Sequence, residues 1–93
     1  MDLKTYCGPR GRQTSLAIEV GAQPQLVWQW ANNVKLIPAE RCPVIERATN
    51  GAVTCEEMRN DIRWHRIADA DWPHHGGRPL IDVAAGAPAT AGA

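Results

Sequence analysis

Four side-chain amides, Gln23, Gln25, Gln29 and Asn32, crowd one short stretch of the chain. A carboxamide donates and accepts in one plane, so it can match the N6 donor and N7 acceptor that adenine shows in the major groove of duplex DNA. Helical spacing places Gln25, Trp28, Gln29 and Asn32 on one face, with Gln23 just ahead of them. Arg10, Arg12 and Gln13 stand at the start of a preceding helix, whose free N–H groups favour phosphate. Lys35 and Arg41 flank the other side. Cations outside and amides inside is the division of labour expected of phosphate and base contacts. The same glutamines also fit the solvated face of a surface helix, and that reading stays open.

Other chemistries find less support. The sequence holds no serine beside a plausible base, no glycine-rich phosphate loop and no H-E-x-x-H pattern, so no enzyme is expected. His65, His74 and His75 with Cys55 lack ligand spacing, and neither metal nor cofactor is expected. Glu56 and Glu57 are better explained by a helix cap than by acid–base work. Cys7, Cys42 and Cys55 are odd in number and show no C-x-x-C pair. They read as reduced, partly buried thiols, not as a disulfide framework or a zinc knuckle.

The candidate contact residues need two helices held at a fixed angle. Residues 12–20 carry apolar side chains at Leu16, Ala17 and Val20, at helical spacing. Gly21 tolerates the left-handed conformation that ends such a helix. Pro24 suits the first turn of the next helix, which runs to about Asn32. The close crossing needs a small residue, supplied by Ala17, and inward apolar ones, supplied by Leu16, Val20, Ala22, Val27 and Trp30. The pattern is a helix-turn-helix.

Around it, Asp2 caps a short first helix through residue 6 or 7. Residues 38–49 read as a fourth helix, distorted or restarted near Cys42 by Pro43, and closed by Asn50 and Gly51. Thr54 to Glu57 is a capping box opening a fifth, which Trp64 docks onto the bundle. No alternating strand pattern appears before residue 80. Residues 71–79 read as a loop, with Trp72 pinning the start of a tail. Residues 80–83 read as a short strand or tether, and residues 84–93 as a disordered Ala/Gly/Pro tail.

The chain has 93 residues and formal net charge zero. One domain is expected, over residues 2–67, with residues 68–93 as loop and tail. Lys and Arg outnumber Asp and Glu by nine to seven over residues 1–66, and the balance reverses beyond. Neutrality does not favour nucleic acid, whose binders are usually basic, so the weight falls on where the charges sit. No apolar run is long enough to cross a membrane, and the first residues do not read as a secretory signal, so a cytoplasmic location is expected.

At this point the residues become recognisable. Gly11-Arg-Gln-Thr14, Trp28-Gln-Trp-Ala-Asn32, Pro38-Ala-Glu-Arg-Cys-Pro43 and Ile45-Glu-Arg-Ala-Thr-Asn-Gly-Ala-Val-Thr-Cys-Glu-Glu57 resemble the YdaS-type Cro-like regulators, within the Cro/CI group of phage repressors. Those are prophage proteins described as DNA-binding regulators or candidate antitoxins. The resemblance spans about residues 2–66. It implies an all-α, lambda-repressor-like bundle of about five short helices with a flexible C-terminal tail. By position it assigns base reading to Gln23, Gln25, Trp28 and Gln29, and phosphate contact to Gln13. Trp28 departs from the pattern, because such proteins often carry Ser or Asn there. Its bulk could clash with the groove or pack on a thymine methyl.

The function expected is a sequence-specific double-stranded DNA-binding repressor. Its recognition helix lies at about 23–32, and it acts as a homodimer on a palindromic operator, because one short helix reads too few bases. The alternative is an antitoxin or protein-interaction module, with a toxin as partner and weak or no specific DNA binding.

Overall fold

The computed structural model describes residues 1–81, so the expectations for residues 82–93 lie outside the described residues. Five helices come first: α1 (Leu3–Tyr6), α2 (Arg12–Val20), α3 (Pro24–Ala31), α4 (Arg41–Ala48) and α5 (Cys55–Met58). Two strands follow, β1 (Trp64–Ile67) and β2 (Arg78–Ile81). They pair antiparallel, with Trp64 opposite Ile81 and Ile67 opposite Arg78.

Each helix starts where its sequence provides for it. The Asp2 side chain accepts from the Thr5 amide at 2.9 Å. Pro24 opens α3, where its missing N–H has no intrahelical use. Thr54 and Glu57 form a complete capping box on α5. Pro43 stands third in α4, still within the first turn, so it breaks no helical hydrogen bond and α4 begins at Arg41.

Three helices stop by one device. At the end of α2 the Ala22 N–H donates to Ala17 O at 2.9 Å, and the Gly21 N–H to Ile18 O. The same pair of bonds closes α3 (Val34 to Gln29, Asn33 to Trp30) and α4 (Gly51 to Glu46, Asn50 to Arg47). The pattern is the Schellman motif, and its hinge residue must be left-handed. Gly21, Asn33 and Asn50 are, with φ of 73°, 60° and 55°. Gly and Asn are the residues that enter that region at least cost.

The core gathers Leu3, Leu16, Ala17, Val20, Val27, Trp30, Ile37, Cys42, Ile45, Val53 and Cys55. All three cysteines are free, Cys42 and Cys55 buried and Cys7 half-buried. Burial pushes the Cys42 thiol up to about 11 and raises Cys55 as well, so neither is a thiolate at neutral pH.

The strand pair corrects the all-α expectation and the absence of strands before residue 80. It also straddles residue 67, the expected end of the helical domain. Trp64, expected to dock the last helix, lies on β1, and its indole donates to Arg59 O at 3.1 Å. The alternation of β1 is invisible to a hydropathy reading because its inward residues are Trp64 and Arg66, and the second is charged. Arg66 points inward because Glu46, fully buried on α4, awaits it. Glu46 accepts from Arg66 Nη1 and Nη2 at 2.8 and 2.6 Å, from the Trp72 indole at 2.6 Å and from the Cys55 amide at 2.9 Å. Arg66 also bonds both oxygens of Glu56 and the carbonyl of Gly77. Burial alone would raise the Glu46 pKa, but these hydrogen bonds and the guanidinium charge outweigh it and bring the group to about 2.

Two predictions follow from this architecture. Glu46→Gln leaves Arg66 without its buried counter-charge, and should lower unfolding free energy by about 3 kcal/mol. An unpaired carboxyl titrates near 4.5 and this one near 2. Its contribution is therefore complete above pH 4.5 and fades as pH falls through that interval. Urea melts at pH 7 and pH 3 should show a smaller pH loss in Glu46→Gln than in the parent. At Gly21 a Cβ would meet nothing within 4 Å, so the cost expected of Gly21→Val lies in holding a β-branched residue at φ of 73°. Roughly 1–2 kcal/mol is expected, read as several degrees of melting temperature in a domain this size.

Candidate nucleic-acid interface

Helices α2 and α3 lie against each other, and Ala17 and Val27 have no exposed surface. The close approach leaves the outward half of α3 to solvent, with Gln23 and Gln25 exposed and Gln29 half-buried. Gln23 precedes α3 in extended conformation, and its side chain makes no capping hydrogen bond. Gln23 therefore stands just ahead of the helix and Gln25 in its first turn, at the end that a recognition helix inserts first.

Five of the residues singled out from the sequence line one shallow groove beside the Gly21 turn: Gln23, Gln25, Gln29, Lys35 and Arg41. The Schellman closure of α3 brings Lys35 there, since the Lys35 amide reaches back to Gln29 O at 3.2 Å. Arg41 arrives from α4. Its Nη1 donates to Val20 O at 2.8 Å, and its guanidinium lies 5.8 Å from the Trp30 ring centre. One donor thus closes an orphan carbonyl at the C-terminal end of α2, where a cation is favoured, and the rest of the fork borders the groove. Leu26, half-buried, supplies an apolar patch in the groove wall that the amide pattern gave no reason to expect.

The remaining candidates sit elsewhere. Gln13 donates through Nε2 to Pro24 O at 3.0 Å, a clasp between the first turns of α2 and α3. Arg12 is folded back, its guanidinium 4.7 Å from the Tyr6 ring centre, while Arg10 is exposed. The first residue of α2 follows Gly11, which offers no side-chain cap. Asn32 is turned on its own helix, donating Nδ2 to Trp28 O at 2.9 Å. Trp28 is 48% exposed on the outward face. Leu16, Ala17, Val20, Val27 and Trp30 are buried as the motif requires.

Among the described residues no group of His, Cys, Asp and Glu could hold a metal ion. His74 and His75 instead stack on each other at 4.5 Å. No helix among these residues is long and apolar enough to cross a membrane.

Comparison with known proteins places this geometry. Over 61 residues the chain is 51% identical to the Escherichia coli (strain K12) protein named "Putative transcriptional regulator YdaS". The match covers 66% of this chain and 62% of that protein, so the chain spans less than two thirds of its relative's length. Among solved structures it resembles the Cro protein from prophage element Xfaso 1 in Xylella fastidiosa strain Ann-1. The TM-score is 0.56 and the identity 36%, covering 68% of this chain and 97% of that one. With the family model described as bacterial toxin YdaS matching residues 3–67, the chain belongs to the YdaS family.

Proposed function

We propose that the protein is a transcriptional regulator that binds double-stranded DNA sequence-specifically, with α3 as the recognition helix in the major groove. The observation that carries this is the groove beside the Gly21 turn, where uncommitted glutamine amides lie between Lys35 and Arg41. Gln23, Gln25 and Gln29 read base edges there, while Lys35, Arg41 and Arg10 meet phosphates on the flanks. Gln13 and Arg12 contact the backbone near the uncapped start of α2. Asn32 serves the set indirectly, by closing α3 beneath Trp28. The regulator and Cro names borne by the relatives support this reading. An operator with two half-sites, bound by a homodimer, follows from the short reach of a single helix.

Zero net charge is no obstacle once the charges are located. Glu46, Glu56, Glu57 and Asp61 are paired with Arg66, the N-terminus and Arg59, and Glu46, Glu56 and Asp61 absorb two arginines in doing so. Arg10, Arg12, Lys35 and Arg41 make no ion pair among the described residues. Lys4, Arg47, Arg63 and Arg78 make none either, so four of the eight unpaired cations among the described residues lie with the motif.

The family description as a toxin favours one second reading, a module that acts through a protein partner. Salt separates the two, because displacing counterions from phosphates makes affinity fall steeply with ionic strength. Band retardation and fluorescence titration on the DNA upstream of its gene, at two salt concentrations, should show specific, salt-sensitive binding. Binding no better than to random DNA would sink the regulator reading. Gln29→Ala should weaken specific binding by about 1–3 kcal/mol and leave nonspecific binding unchanged. Lys35→Ala should instead weaken all duplexes alike and reduce the salt slope by about 1.

A further inference from the structure

We infer that Trp28 is a specificity-determining residue that selects thymine in each half-site by apolar contact with its C5-methyl group. The inference rests on the regulator reading and deepens it. Trp28 is the one large apolar side chain on the outward face of α3, and 48% of it is exposed. The rest of its surface is covered by the protein, so the ring is partly packed against the fold. Side chains on a helix lean toward its N-terminus, the end that a recognition helix inserts first. The backbone beneath it is pinned, since the Trp28 carbonyl accepts from both the Asn32 amide and its side chain, at 3.0 and 2.9 Å. The indole N–H groups of Trp64 and Trp72 are engaged with Arg59 O and Glu46. That of Trp28 has no such bond among the described residues, and what it offers a duplex is mainly a flat apolar surface.

Only one base pair presents an apolar group in the major groove, and it is A·T, through the thymine methyl. The flanking chemistry agrees. Gln25, one turn before Trp28, and Gln29, next to it, carry the amide that matches adenine. Amide and indole together make a face for A·T steps, where the thymine methyl adds an apolar contact that a G·C pair lacks.

The test is a methyl deletion. Duplexes enriched by the wild-type protein from a random double-stranded library are resynthesised with single thymine-to-uracil replacements. Uracil keeps every hydrogen-bonding edge of thymine and lacks only the methyl. At one position per half-site, uracil should weaken wild-type binding about fourfold, the value of one buried methyl group. Trp28→Ala should bind the thymine and uracil duplexes alike, and Trp28→Phe should keep part of the difference. Circular dichroism of each variant, and the wild-type series itself, guard against a folding defect. Enrichment of a duplex with no uracil effect at any position overturns the role of Trp28 and leaves the regulator reading standing, as does a uracil effect that survives in folded Trp28→Ala. Failure to enrich any duplex overturns both.

Discussion

A carboxylate with no exposed surface must find hydrogen-bond donors for both oxygens or give up its charge. Glu46 finds them in three places that are distant in sequence: the first amide of α5, the guanidinium of β1 and the indole in the turn between the strands. Each donor arrives on a different element, so the carboxylate fixes where α5, β1 and the connecting turn can lie relative to α4. Apolar burial could hold these pieces together but would not specify their order, because hydrophobic contact has no direction. Arg66 passes the constraint onward through Gly77 O, at the start of β2. Gly77 has φ of 97°, and a Cβ there would stand 2.0 Å from Ile67 O. The turn can therefore close over Arg66 only with glycine.

The motif at the other end of the molecule depends on α4 as well. Arg41 and Glu46 share that helix. While the hub holds α4 by its middle, Arg41 reaches from its first turn to the last carbonyl of α2. The angle between α2 and α3 is thus braced three times: by the small residue at Ala17, by the Gln13 clasp and by the Arg41 tie. A reading helix must be rigid to discriminate bases, since a face that shifts by an ångström loses planar hydrogen bonds.

What was legible in the sequence divides along the same line. Caps and stops are local chemistry, and Asp2, Gly21, Pro24, Asn33, Asn50 and Thr54 all announce themselves within a few residues. So the helix-turn-helix and all five helices could be read. Of the hairpin, only a strand or tether at residues 80–83 was expected, and residues 80 and 81 do lie in β2; the pairing and β1 could not be read. Its inward arginine is meaningful only beside a buried glutamate twenty residues earlier, and no window of hydropathy contains both. Pro43 could be read as restarting the helix near Cys42, and α4 does begin at Arg41, but the start expected at residue 38 was too early. At the groove, the sequence placed the amides and cations. It gave no sign that Asn32 would turn back on its own helix or that Leu26 would join the wall.

The hairpin also bears on what the family resemblance covers. The family match ends at residue 67, the last residue of β1, while its partner strand begins at residue 78. Half of the sheet therefore lies beyond the matched region, although the match contains Glu46, Glu56 and Arg66. An arginine placed against two carboxylates needs its remaining donors satisfied and water kept off. In this chain Trp72 and Gly77 do that, both from the segment after the match. The segment after β1 is then less an appendage than the cover of the hub, delivering one donor from Trp72 and one carbonyl from Gly77, the latter at a position that only glycine can occupy.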